Sequence, residues 1–558
     1  MQTSSRRFAP ALLVLAIVAL TIPAAYSQTF SVLYNFGTNA GDPMQPQWAG
    51  VVAQGRDGNL YSTTAPGGTN NVGAMFKITP SGILTVPYNF DATAPFPFSP
   101  LSGLTLGTDG NFYGTSYVGG TSDGGTVFKI TASGMATVLH SFSGSDGSQP
   151  YAPPIQGTDG NFYGTTEQGG TNGVFGTVYK ITPSGQFTSL YSFDNTHGSG
   201  PYAPLVQGTD GSFYGTTYQG GSNGAGVVYK ITASGKLMVI YNFEGTHGTG
   251  PLSPLVQGSD GNFYGTTYDG GSKGYGVVFR ITPSGRLAVL HNINGTTDGN
   301  FPVAGLVQAT DGNFYGSTNQ GGSANCNSGC GTIFKISPIS PYVYKVLYNF
   351  DLTTGQNPDV TLVQHTNGIL YGDTQSGGIG SVNPCTSGTC GVFYSLSIGA
   401  TPFASLIITS GKVGKSVEIL GQGFTGTTGV SFNGTAASFK VVSDTYLTAT
   451  VPNGANTGSV AVTTPGGTLT SNKIFRVTPQ ITSFTPTSGS VGTVVTIIGV
   501  SLIQTTKVAV GGIAATTFTV NSDTQVTATV PTGAKTGHVT ITTPGGTATS
   551  PGVFTVTP

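Results

Sequence analysis

The sequence predicts an all-β protein: a seven-bladed β-propeller closed by an N-terminal strand, followed by two immunoglobulin-like β-sandwiches. Three observations carry this. Thr, Val, Tyr, Phe and Gly abound, with 88 glycines in 558 residues, while charged residues make up only 7%; that composition favours strands joined by tight turns. A motif recurs seven times at intervals of 50 to 56 residues. A second, unrelated unit then occurs twice at the C-terminal end. Lys+Arg is 20 and Asp+Glu is 21, so the near-neutral chain has no basic footprint for nucleic acid and no acidic solvating tail. With 37% hydrophobic and 10% aromatic residues there is ample material for a core, which excludes a disordered chain.

The chain opens with Arg6-Arg7, an apolar run from Ala11 to Ile22 and the small residues Ala25-Tyr26-Ser27. This reads as a signal peptide over residues 1–27 that directs export, and the run is too short for a membrane span. No second apolar run of span length follows, so no membrane span is expected in the mature chain. The cysteines come in two close pairs, Cys326/Cys330 and Cys385/Cys390. No histidine lies near either pair. In an exported chain the expected reading is two loop-stapling disulfides, Cys326–Cys330 and Cys385–Cys390, rather than a zinc site.

The repeat is Asp-Gly-Asn-Phe-Tyr-Gly with small variations. Its Asp falls at Asp57, Asp109, Asp159, Asp210, Asp260 and Asp311, and Asn367 stands in the seventh, degenerate copy. Between Pro204 and Phe243 one unit reads as four strands: a (Leu205-Val206-Gln207), b (Phe213 to Tyr218), c (Val227 to Thr232) and d (Leu237 to Phe243), separated by Gly-rich turns. Four short antiparallel strands at a period near 50 residues make a propeller blade. The seventh unit has strands a, b and c but no d. Thr29 to Phe36 carries the Tyr-Asn-Phe ending of a d strand ahead of the first unit. It is expected to complete the last blade, so that the ring leaves no open flank. The propeller is assigned to residues 28–399.

After Ile398 the pattern changes. Residues 402–479 and 480–558 are two copies of a unit of short alternating strands. Both contain a Val-Gly pair, a Ser-Asp-Thr turn and a Val-Pro step, and each is expected to form a sandwich.

The propeller unit resembles the bacterial GloVer tandem repeat of exported proteins. The resemblance rests on Asp-Gly-Asn-Phe-Tyr-Gly-Thr, the Gly-Gly loop, Val-Val-Tyr-Lys-Ile-Thr and the Tyr-Asn-Phe strand, and it covers about Thr29 to Ile398. The C-terminal units resemble IPT/TIG domains, which the resemblance associates with surface receptors, adhesins and carbohydrate-active proteins. Neither family implies a defined activity or catalytic residues.

In a four-stranded blade, a–b and c–d turns lie on one face of the ring, and b–c and d–a loops on the other. The a–b and c–d turns hardly vary. Their Asp and Gly read as turn formers, since one carboxylate per turn falls short of the roughly six to eight oxygens calcium takes. The other face varies at the two residues before each Gly-Gly. The candidate binding residues are therefore Tyr117, Glu167, Gln168, Tyr218, Gln219, Tyr268, Asp269, Asn319 and Gln320. Tyrosine faces stack on sugar rings, while amides and carboxylates bond hydroxyls, so a constant frame with this changing set suits a binding surface. His197 and His247 read as duplicated turn residues rather than a metal pair. Glu167 and Asp269 read as a candidate acid/base pair for glycoside cleavage, though two carboxylates among 21 acidic residues are a weak signal. No nucleophile elbow, zinc-protease motif or phosphate loop is present. The expectation is an exported, non-catalytic binding protein of the cell envelope or exterior, with polysaccharide or a surface protein as partner and no metal or cofactor. The competing readings are an extracellular glycan-active enzyme on the same scaffold and a purely structural surface component.

Overall fold

The computed structural model describes residues 28–46, 51–93, 97–322, 326, 328–379 and 390–558. The signal-peptide reading and Cys385 lie outside the described residues. No α-helix occurs among them, and no helix is long and apolar enough to cross a membrane.

Seven four-stranded sheets lie between residues 29 and 397, and they are the blades. The fourth shows the common plan: Val206–Gln207, Phe213–Thr217, Val227–Ile231 and Leu237–Asn242, each strand antiparallel to the next. The second strand is buried along its whole length, and the third exposes only its lysine in part. Glycine 215 on strand b is obligatory for packing. A Cβ there would stand 2.5 Å from the Tyr229 hydroxyl and 2.9 Å from Leu205.

The recurring motif turns out to be the joint between blades. Its tyrosine stacks on the motif phenylalanine of the next blade: Tyr113 on Phe162 at 3.7 Å, Tyr163 on Phe213 at 3.9 Å and Tyr264 on Phe314 at 4.0 Å between centroids. The tyrosine hydroxyl donates to the motif aspartate, as from Tyr163 to Asp159 at 2.8 Å. That aspartate also accepts from Asn161 and pairs with Lys180. Every oxygen of the repeated carboxylate is thus engaged in holding its own turn.

A second joint comes from strand a. The side-chain oxygens of Gln54, Gln156, Gln207, Gln257, Gln308 and Gln364 accept backbone N–H groups from the a–b turn of the preceding blade at 2.9–3.0 Å. Gln54 of the first blade reaches Thr366 of the seventh, which closes the ring. Only the junction between blades one and two departs from this. Leu106 takes the glutamine's place there, and Arg56 donates to the Thr108 carbonyl at 2.6 Å instead.

The N-terminal strand performs as expected. Thr29–Asn35 pairs antiparallel with Val392–Ser397, from Thr29 opposite Ser397 to Asn35 opposite Val392. Asn35 then accepts the Ile379 N–H at 2.9 Å, the role that Asn242 plays for Ser222 in the fourth blade.

Each C-terminal unit is a two-sheet sandwich around its own core. The first is built on Val417, Ile419, Phe432, Leu447 and Val462, the second on Val495, Ile497, Val508, Val526 and Ile541. The first sandwich sits on the a–b turns of the propeller. Phe403 N–H donates to the Thr366 carbonyl at 3.0 Å, and Thr445 Oγ1 to the Arg56 carbonyl at 2.8 Å. The Arg56 guanidinium lies 4.5 Å over the Tyr446 ring. The face bearing the b–c and d–a loops carries none of these contacts.

Candidate binding site

The end of strand b and the end of the d–a loop converge on the b–c/d–a face, and two sequence positions per blade meet there. One is the residue directly after strand b: Tyr117, Glu167, Tyr218, Tyr268 and Asn319. The other flanks the proline that leads into strand a: Tyr151, Tyr202 and Asp359 after it, Phe301 and Asn357 before it. These side chains make contact from blade to blade. Tyr117 packs edge-on to Tyr151 at 5.0 Å, Tyr151 to Tyr202 at 5.0 Å, and Tyr202 to Tyr218 at 5.8 Å. Tyr268 stacks on Phe301 at 4.7 Å. Asn319 donates to Asp359 at 2.5 Å, and Asn357 donates to Asn319 Oδ1 at 3.2 Å. We call this arc the crown.

Five of the nine sequence-derived residues therefore lie in the crown. The other four, Gln168, Gln219, Asp269 and Gln320, come one residue later, and their backbones bridge to the d–a loop at Ser148, Ser199, Thr249 and Asn300. Of their side chains, Gln168 Nε2 donates to Glu167 Oε1 at 3.5 Å, Gln219 is exposed, and burial lifts the Asp269 carboxyl above its ordinary value. Glu167 and Asp269 stand two blades apart with no contact between them. His197 pairs with Asp194 at 2.8 Å and His247 with Glu244, each closing its own turn. Among the described residues no group of three or more His, Cys, Asp or Glu side chains could hold a metal. Cys326 and Cys330 form a disulfide in the b–c loop of the sixth blade.

The residues missed from sequence are Tyr151, Tyr202, Phe301, Asn357 and Asp359. A signal was available: Pro150, Pro201, Pro302 and Pro358 mark the same step in successive loops.

The electrostatics of the crown come from carboxylates. Glu167 Oε1 accepts the Tyr202 hydroxyl at 2.6 Å, while Glu167 Oε2 is buried with no partner. Burial pushes the Asp359 carboxyl up to about 7, against the downward pull of the Asn319 hydrogen bond. Its Oδ2 has no partner. Asp373 on strand b of blade seven is fully buried and is raised well above the ordinary range by burial, then by Asp359. Elsewhere that position is Thr or Ser, whose hydroxyl donates to a carbonyl of the next blade, as Thr63 does to Pro100 at 2.9 Å and Ser317 to Pro358 at 2.8 Å.

Two wider concavities lie away from the crown. One, of about 390 Å³, is the crevice between Gln308–Gly312 and the first sandwich at Pro402, Phe403 and Asn472. The other, of about 550 Å³, lies on the second sandwich along Thr516–Thr519 and Thr527–Thr529. Neither has a charged side chain in its lining. Convergent polar groups with displaced ionisation mark a site better than volume does, so the crown is the candidate.

Fold and crown together define a repeat-built β-propeller with one face covered by a sandwich and an aromatic, acid-bearing face left open. The chain belongs to the Gloeobacter/Verrucomicrobia repeat family, whose model matches residues 18–210, 154–387 and 203–435 in overlapping segments. The IPT/TIG domain matches residues 402–476 and 479–556. No curated protein matches the sequence. Among solved structures the chain is similar to a fungal alcohol oxidase of the AA5 family in complex with copper. The identity is 16%, covering 81% of this chain and 99% of that one, with a TM-score of 0.46. It is also similar to the surface glycan-binding protein PbSGBP-B of Prevotella bryantii, at 20% identity over 28% of this chain and 39% of that one, with a TM-score of 0.21. A third is the extracellular domain of the putative hybrid two-component system BT3049 from B. thetaiotaomicron, at 11% identity over 79% and 57%, with a TM-score of 0.43. Likeness at this level says nothing about ligand or chemistry.

Proposed function

We propose that this is an exported, non-catalytic binding protein of the cell envelope or exterior that recognises polysaccharide through the crown. The observation that carries the reading is the arc of Tyr117, Tyr151, Tyr202, Tyr218, Tyr268 and Phe301 on the propeller face that the first sandwich leaves open. Aromatic rings present an apolar face beside a polar edge, which suits a sugar's C–H face and its hydroxyls. Glu167 and Asn319 supply hydrogen-bonding groups at the rim of that platform. The two sandwiches serve as a stalk on the opposite face.

The test is a glycan array probed with the mature chain, followed by the double variant Tyr202→Ala, Tyr268→Ala. Binding to one or more polysaccharides, weakened at least about tenfold in the variant, is expected. An array without signal, or binding indifferent to both changes, refutes the reading. Turnover of a bound glycan that disappears in Glu167→Ala would replace it with the enzyme reading.

A further inference from the structure

Within the crown, one corner is chemically narrower than a general sugar platform. Tyr117, Tyr151 and Tyr202 form three consecutive walls, with interplanar angles of 65° and 60° between neighbours. Glu167 lies among them, its Oε1 accepting from the Tyr202 hydroxyl and from Gln168 Nε2. Its other oxygen is buried and has no partner. Gln149, whose carbonyl accepts the Glu167 N–H at 3.1 Å, adds another buried and unpartnered oxygen, its Oε1. No salt bridge to Glu167 occurs among the described residues.

Each vacant group is an acceptor, so what each lacks is a donor. Buried polar atoms without a partner are rare in native folds and commonly mark an ion or ligand position. A carboxylate ligand would meet Glu167 with like charge. A hydroxyl could donate to the Glu167 carboxylate but brings no charge to meet it. An ammonium group carries three donors and no acceptor, and its charge is attracted both to the carboxylate and to the faces of surrounding aromatic rings. The rings remain neutral phenols: burial first, with Glu167 adding in each case, holds all three above the usual tyrosine value.

We propose that the corner of Tyr117, Tyr151, Tyr202 and Glu167 takes a protonated primary amine, presented by the amino sugars of a polysaccharide. The proposal rests on the crown being a polysaccharide site and narrows its substrate class to polymers with free amino groups.

Three hexamers of β-1,4-linked glucosamine, N-acetylglucosamine and glucose differ only at carbon 2, as ammonium, acetamide and hydroxyl. They are titrated calorimetrically into the mature full-length chain at pH 6, with hexalysine as a fourth probe. The glucosamine hexamer is expected to bind at least about tenfold tighter than either neutral hexamer, and to weaken with added salt. Glu167→Gln, checked for unchanged thermal unfolding, is expected to abolish that preference, so that the three hexamers bind alike. Equal binding of all three sugars that is lost in Tyr202→Ala, Tyr268→Ala overturns the amine assignment and leaves the polysaccharide reading standing. A preference that survives Glu167→Gln also overturns it. Tighter binding of hexalysine than of glucosamine hexamer keeps the ammonium chemistry but refutes the amino-sugar source. If no sugar binds, here or on the array, the polysaccharide reading itself falls.

Discussion

Asp359→Asn should make the propeller less sensitive to rising pH. Asp359 is wholly buried, with one oxygen bonded by Asn319 and the other unpartnered. Its folded-state carboxyl stands near 7 against an ordinary 3.8. A carboxyl raised in the fold binds its proton more tightly there than in the unfolded chain. Its contribution is therefore fully present below the ordinary value and is lost as pH climbs from about 4 to about 7. At about 1.4 kcal/mol per tenfold change in ionisation constant, this amounts to on the order of 4 kcal/mol between pH 4 and pH 8. The asparagine cannot ionise and keeps an oxygen for Asn319. Its amide nitrogen, in the place of Oδ2, lacks an acceptor, which costs about 1–3 kcal/mol at every pH. The variant should thus be the less stable protein near pH 4.5 and the more stable near pH 8, by about 1–3 kcal/mol at the upper end. Urea unfolding of the propeller at several pH values, wild type against variant, reads this directly. His365, which burial pushes below the usual histidine value, contributes the opposite slope, but it is common to both proteins and cancels in the difference. A difference curve that is flat in pH, or that favours the wild type more strongly as pH rises, would refute the argument.

Three further outcomes test the frame. Removal of residues 29–35 strips the outer strand from blade seven and exposes the Val392–Ser397 edge; the propeller unfolding transition should fall sharply and size exclusion should show self-association. Gln364→Ala leaves the Thr310 N–H without its acceptor and should cost about 1–3 kcal/mol, measured by denaturant unfolding, whereas Leu106→Gln should cost less, because Arg56 already bridges that junction. Gly215→Ala forces a methyl group against Tyr229 and Leu205; thermal unfolding should register about 1–3 kcal/mol of overpacking, and Tyr229→Phe in the same chain should recover part of it.

The ring and its closure were legible because both are encoded by periodicity. Each motif residue recurs at one offset, and Thr29 to Phe36 carries the Tyr-Asn-Phe ending out of place. The role of the motif was less visible. Asp-Gly-Asn reads as a turn by itself, yet stacking of Tyr163 on Phe213 pairs residues 50 positions apart, and no local pattern reports such a pair. The glutamine latch was in view as the one polar residue of a short apolar strand, at Gln156, Gln207, Gln257, Gln308 and Gln364. At the crown, the variable pair before Gly-Gly located the right loops but not the right side chains. Alternation along a strand sends Glu167 and Gln168 opposite ways, and only the packing of blades decides which way is inward. Tyr151, Tyr202 and Asp359 escaped because they lie at the end of a loop without period, where a single proline is the sole marker.

This division of labour explains how one scaffold can carry a variable site. Where the units carry them, the Phe, Tyr and Gln are consumed in contacts between blades and the Asp in its own turn, and each has a partner that a substitution would strand. The a–b face is further constrained in the first and seventh blades, where Arg56 and Thr366 meet the first sandwich. The residue after strand b and the residue after the loop proline are different. Tyr117, Glu167, Tyr218, Tyr268 and Asn319 occupy equivalent places, as do Leu101, Tyr151, Tyr202, Leu252, Val303 and Asp359. Such different side chains fit because neither position takes part in the glutamine latch or in the stacking of motif tyrosine on motif phenylalanine. Changes there leave the ring energetics nearly intact, since sites without shared partners act almost additively. Chemistry at the crown can therefore change one blade at a time, and Asp359 with Asp373 shows the limit of that freedom: two acids on the closing blade, kept buried at a cost in stability.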